Sequence, residues 1–121
     1  MLSHESLDVY RVSMEFVKWS DALCRSLGTA QRAARDQLQR ASQAIPLNIA
    51  EGNGKPRGPD RRKFIDIARG SALECGATLD VLTARGSVDE DRTAEGKELL
   101  DRISAMLTRL GASAGRSPGE A

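Results

Sequence analysis

Ser42-Gln-Ala-Ile-Pro-Leu-Asn-Ile-Ala-Glu-Gly-Asn-Gly54 and Arg61-Arg-Lys-Phe-Ile-Asp-Ile-Ala-Arg-Gly-Ser-Ala-Leu-Glu74 flank a single short loop. Both keep apolar residues at spacings of three and four, the signature of an amphipathic helix. Both also place Gly, Pro, Asn, Glu or Arg where a generic helix would use Ala, Leu or Lys. Between them, Asn53-Gly-Lys-Pro-Arg-Gly-Pro59 is the strongest breaker run in the chain. The pair therefore reads as a helical hairpin.

Working outward, the second segment extends to Ala84 or Arg85. Its seam is Phe64, Ala68, Ser71, Cys75, Thr78 and Leu82, a heptad pattern flanked by Ile67, Leu79 and Val81. Pro59 suits the first helical position, and Gly86 closes the helix. The first segment extends back to about Thr29 with the stripe Ala34, Leu38, Ala41, Ile45 and Ile49. Pro46 removes a donor within it and disturbs the carbonyl of Ser42, so a kink is expected there. Gly52 and Gly54 are expected to end it. Gly70 and Gly76 lie mid-helix, where glycine costs about 1 kcal/mol relative to Ala. Close approach of another backbone is the expected reason.

Before this hairpin, Leu7 to Leu27 carries Val9, Val12, Phe16, Trp19, Leu23 and Leu27 on one stripe. Ser6 is the expected N-cap and Gly28 the residue beyond the C-cap. After the hairpin, Ser87-Val-Asp-Glu90 reads as a capping box. The helix it opens carries Leu99, Ile103, Met106 and Leu110, with Leu100 and Leu107 alongside and Gly111 at its end. The fold expected is all-α, an antiparallel up-down-up-down four-helix bundle over residues 7–111. Residues 1–6 are expected to be a flexible lead-in and 112–121 a disordered tail. Met14 and Val17 lie off the main stripe of the first helix, as do Ile65, Leu73 and Val81 on the third. Such breadth fits subunit contacts or a broad core face.

The chain of 121 residues suffices for one domain with its own core. Its 18 basic and 17 acidic residues leave a net charge of +1, which argues against a bulk polyanion binder but allows a local basic patch. One Trp, one Tyr and two Phe are too few for an aromatic stacking platform. Cys24 and Cys75 sit far apart in helical patterns and read as buried, reduced core thiols. No basic, apolar leader opens the sequence, and no stretch approaches the ~20 apolar residues of a membrane span. A cytoplasmic protein is expected.

Chemistry is sparse. The single histidine, His4, precedes the first helix. A bundle di-iron site needs Glu-x-x-His on two helices, and nucleophilic catalysis needs a base beside Ser or Cys; neither pattern occurs. Gly52-Asn-Gly-Lys-Pro-Arg-Gly58 follows a helix rather than a strand and matches no nucleotide fingerprint. No metal, cofactor or catalytic residue is assigned. Two groups remain. Asn48, Glu51, Arg69, Ser71 and Glu74 fit either a polar network across the hairpin or a ligand or nucleic-acid pocket. An enzymatic use of Glu51, Glu74 and Arg69 as acid, base and anion clamp names no substrate. Lys55, Arg57, Arg61, Arg62 and Lys63 surround the loop, with Asp60 the one acid among them. Cations at a helix N-terminus oppose its dipole, so they fit phosphate contact or an ordinary solvated loop.

Taken together, Ile45-Pro-Leu-Asn-Ile-Ala-Glu-Gly52 and Phe64-Ile-Asp-Ile-Ala-Arg-Gly-Ser-Ala-Leu-Glu74 resemble the bacterial bundle proteins related to the 23S ribosomal RNA intervening-sequence protein. They are similar also to the accessory variability determinant protein of diversity-generating retroelements. The resemblance spans about Leu7 to Leu110. It implies an antiparallel four-helix bundle that assembles as a ring-shaped homopentamer without enzymatic activity. The retroelement relative binds nucleic acid and its reverse transcriptase, which makes RNA, DNA or a protein the candidate partners here, while the intervening-sequence relatives have no settled role. The retroelement relatives are basic, whereas this chain is nearly balanced. The expectation is a homo-oligomeric accessory protein that binds RNA through its basic loop; the alternative is a protein adaptor that binds no nucleic acid.

Overall fold

The computed structural model describes residues 2–114. Four helices make the body: α1 (Asp8–Ser26), α2 (Arg32–Asn53), α3 (Pro59–Ala84) and α4 (Glu90–Ala114). Helices adjacent in sequence pack side by side, and α4 closes back on α1. Connections too short to cross the bundle force each helix to reverse its predecessor, which gives the antiparallel up-down-up-down arrangement.

The interior collects one stripe from each helix. Phe16, Leu23, Leu38, Ile45, Ile49, Ile65, Leu79, Leu82, Ile103 and Leu107 are all but sealed from solvent. Each stabilises the fold by roughly 1.5–3 kcal/mol relative to exposure. Buried hydroxyls are satisfied locally: Ser13, Ser20 and Ser42 donate to the carbonyls of Tyr10, Val17 and Gln39. Pro46 is buried within an α2 that continues through it to Asn53.

Helix ends differ from expectation where the caps do. The first helix starts after Leu7 rather than Ser6, with no side-chain cap. Gly28 has φ of −79°, so no left-handed residue ends it. A 3₁₀ turn, Thr29–Gln31, then leads into α2. Residues Ser3–Ser6 form another 3₁₀ turn that packs on α1 and α2, where a flexible lead-in was expected. Asp89, not Ser87, caps α4: its carboxylate accepts from the Arg92 backbone N–H at 2.8 Å. Gly111 does not end that helix. It is buried against Ile65 and Arg62 of α3, and the helix continues to Ala114. Residues 112–114, expected to be disordered, are therefore helical; the rest of the expected tail, 115–121, lies outside the described residues.

Three glycines let the helices close. A Cβ on Gly52 would lie 3.1 Å from the Phe64 Cβ and 3.2 Å from the Arg61 carbonyl oxygen, at the α2–α3 contact. The Trp19 ring covers Gly96 so closely that a Cβ there would overlap it. Gly111 receives α3 in the same way, less tightly. Gly58 and Gly86 instead supply the positive φ, 146° and 73°, needed at the start and end of α3.

Candidate functional site

Five cations were expected to form one basic surface at the α2–α3 loop, and the structure divides them. Arg61 faces inward along the chain: its Nε donates to the Lys55 carbonyl at 2.8 Å and one terminal nitrogen to the Asn53 carbonyl at 2.9 Å. These carbonyls lie at and just beyond the end of α2, where no helical donor remains. Arg61 is thus a clasp on the loop. Arg62 lies 3.4 Å from Asp66 and Lys55 lies 3.5 Å from Glu51. Lys55 and Lys63 both approach the Phe64 ring, at 5.7 and 5.6 Å. Arg57, Arg62 and Lys63 remain exposed at the N-terminal end of α3.

The expected polar network is not one network. Asn48 donates to the Ala44 carbonyl within its own helix at 2.8 Å. Glu51 turns to Lys55. Arg69 is exposed, and Ser71 is buried on α3. Only Glu74 crosses the hairpin, accepting from the Gln37 side-chain amide of α2. Glu51, Arg69 and Glu74 therefore do not converge on a common point of hydrogen bonding, and all three are exposed.

The outward side of α3 carries what the sequence reading only half identified. Ile65, singled out as extra apolar surface, is 1% exposed and belongs to the core. Leu73 and Val81 are open to solvent, at 61% and 45%. Ile67 joins them at 42%. Between them Gly70 is exposed, and a Cβ there would meet nothing within 4 Å. Close approach within the subunit does not explain that glycine, contrary to expectation. Nor does it explain Gly76, whose nearest foreign atom is a Leu100 methyl at 3.9 Å. Ile67, Glu74 and Val81 repeat every seven residues, and so do Gly70, Ala77 and Ala84. This second heptad seam points away from the first. The flanking acids are paired within the chain, Asp66 with Arg62 and Asp80 with Lys97 of α4. Periodicity could have revealed the seam, because Ile67 and Val81 sit on the far side of the helix from Ala68, Cys75 and Leu82.

Elsewhere the surface has shallow grooves. One of about 510 Å³ between α1 and α4 is lined by Asp8, Arg11, Glu15, Arg102 and Arg109 around Met106. Its acids come from α1, and the charged residues on its α4 side are all arginines. Another of about 340 Å³ lies beside the outer seam, between Ala34 and Gln37 of α2 and Glu74 and Val81 of α3. Among the described residues no cluster of His, Cys, Asp and Glu could hold a metal ion. Cys24 and Cys75 are buried free thiols. Burial pushes Cys75 up to about 12 and raises Cys24, so neither presents a thiolate near neutrality. No described helix is long and apolar enough to cross a membrane.

This geometry defines a compact four-helix bundle whose unusual features are an outward apolar seam and a clasped basic loop. The family model of the 23S rRNA-intervening sequence protein matches residues 5–109. The chain belongs to that family. No curated protein matches it. A solved structure of a protein of unknown function from the S23 ribosomal protein family of Bacteroides thetaiotaomicron VPI-5482 is similar, with a TM-score of 0.78 and 21% identity. The likeness covers 84% of this chain and 96% of that one. At that identity it establishes the shared fold.

Proposed function

We propose that this chain is a non-enzymatic accessory protein that assembles with copies of itself, as a pentamer, through the outer seam of α3. One observation carries the reading: Ile67, Leu73 and Val81 are exposed around a mid-helix glycine with open space above it. An apolar helix face with small residues at heptad spacing suits close packing against another helix. Asp66 and Asp80 are paired within the chain, which leaves the Glu74 carboxylate, bound to the Gln37 amide, as the charge on the seam itself. The number five comes from the family resemblance. Two free buried thiols fit a reducing, cytoplasmic setting.

Size-exclusion chromatography with light scattering tests this. The native chain should run as a pentamer. Ile67→Lys with Leu73→Glu should give a monomer with unchanged helical circular dichroism. A native monomer at micromolar concentration overturns the assembly.

A second reading concerns nucleic acid. Arg57, Arg62 and Lys63 cluster at the start of α3, where free N–H groups also favour phosphate. In an oligomer this patch would be repeated, so weak contacts to an RNA or DNA backbone would add. Binding to structured RNA that weakens steeply with salt, and is lost on changing Arg57 and Lys63 to Glu, would support it. An assembly indifferent to RNA at low salt leaves the protein-adaptor role.

A further inference from the structure

The end of α2 holds the dipeptide Asn53-Gly54, the pairing most prone to spontaneous deamidation because glycine leaves its own backbone nitrogen unshielded. The reaction needs two things. The Gly54 nitrogen must lose its proton to a solvent base and reach the side-chain carbon of Asn53. Its lone pair then forms a C–N bond as the bond to Nδ2 breaks, releasing ammonia and leaving a cyclic imide. Water opens that ring at either carbonyl, giving aspartate or isoaspartate.

Both requirements are blocked here. The Gly54 N–H is engaged by the Ala50 and Glu51 carbonyls at 3.1 and 3.2 Å. The Asn53 Nδ2 donates to the Ser3 Oγ at 2.9 Å, so the N-terminal 3₁₀ turn holds the amide in place. A helical backbone also directs the Gly54 nitrogen into the helix rather than toward its neighbour's side chain. The same residue anchors the loop, since the Asn53 carbonyl accepts from Arg61.

We propose that Asn53-Gly54 is a conditional modification site, closed by the last turn of α2 and by Ser3, whose conversion loosens the Arg61 clasp. Isoaspartate inserts an extra carbon into the backbone at that point. A new carboxylate beside the guanidinium competes with the Asn53 and Lys55 carbonyls for it. Opening of the loop then exposes the bond after Arg57 to proteolysis. Asn48, the other asparagine, is followed by Ile49 and provides an internal control.

The test is ageing of the full chain at mildly alkaline pH, with peptide mapping for amide-to-acid conversion at Asn53 and Asn48. The native chain should convert at Asn53 at least about tenfold more slowly than the chain in urea, as expected where reaction requires local opening. Ser3→Ala should convert faster than the native chain, with Asn48 unchanged in both. Trypsin should cut after Arg57 faster in the converted fraction than in the unconverted one. Equal rates for the native and urea-unfolded chains would overturn the proposal, and so would a Ser3→Ala rate equal to the native one.

Discussion

Both faces of α3 carry large apolar residues, yet they behave as different materials. The inner face, with Ala68, Cys75, Leu79 and Leu82, is sealed. The outer face, with Ile67, Leu73 and Val81, stands in water. Glycine sharpens the contrast. Where α3 meets its neighbours, Gly52 of α2 and Gly111 of α4 are pressed against Phe64 and Ile65. On the outer face Gly70 is pressed against nothing. Apolar periodicity marks a helix face that avoids water; it does not say whether the cover comes from the same subunit. The monomer accounts for one seam of α3 completely and leaves the other unexplained.

The inner face should show the largest response to substitution. Leu79 is fully buried, so Leu79→Ala should destabilise the bundle by roughly 2–5 kcal/mol through lost burial plus a cavity. Leu73→Ala on the outer face should change subunit stability by at most about 0.5 kcal/mol. Urea denaturation of both variants, made in a monomeric background such as Ile67→Lys, measures the difference. Comparable losses would show that the outer residue is not solvent-facing in the folded subunit.

Gly96→Ala ranks next. Its methyl would overlap the Trp19 ring, whose Nε1 is also 3.4 Å from Glu95. The indole must move, and overpacking of this kind costs about 1–3 kcal/mol. Trp19 is the only tryptophan, so its fluorescence should shift to the red as the melting temperature falls. Native stability with an unshifted spectrum would mean that α1 and α4 stand further apart.

How much of this was legible beforehand follows from which interactions are local. The four helices, the Pro59 start and the Gly86 stop of α3 depend on nearby residues, and periodicity with turn chemistry reveals them. Gly96 beneath Trp19 joins residues far apart in sequence, so no local pattern indicates it. Arg61 stands apart from the other loop cations for a related reason. A sequence counts Arg61 as a charge, but the guanidinium is spent on two carbonyls at and beyond the end of α2. Asn48 and Glu51 share a helix face, as their spacing requires. That spacing cannot say that Asn48 would find its partner within α2 and Glu51 in the loop just after it, rather than across the hairpin. Ser87 lost the cap to Asp89 because the helix starts two residues later than a capping box at Ser87 would place it.

Burial of Cys75 makes the sealed face measurable by pH. Its thiol is raised from 9.0 to about 12. In the unfolded chain the thiol ionises first, so above about pH 9 the unfolded state holds fewer protons and gains stability. Folding stability from this group is complete below about pH 9 and is lost as pH rises toward 12. The loss at pH 10 amounts to about 1.4 kcal/mol. Denaturation at pH 8 and pH 10 should show that difference in the native chain and a smaller one in Cys75→Ala. An identical pH response in the two proteins would place the thiol in contact with solvent.

The smallest effect is the most discriminating, because the two faces of α3 predict opposite signs for the same substitution. Gly70→Ala adds a methyl to open space and removes the conformational freedom of a mid-helix glycine. The isolated subunit should gain about 1 kcal/mol. Gly52→Ala, against Phe64 and the Arg61 carbonyl, should lose stability instead, since neither backbone can retreat without moving a helix. If the outer seam packs against another copy, Gly70→Ala should raise the melting temperature of a monomeric background while weakening assembly of the native one. A gain in both would mean that helices do not approach closely at Gly70. A loss in both would mean that α3 already has a neighbour above that glycine within the subunit. Only the opposed result, more stable alone and less able to associate, separates the seam that folds the chain from the seam that joins chains together.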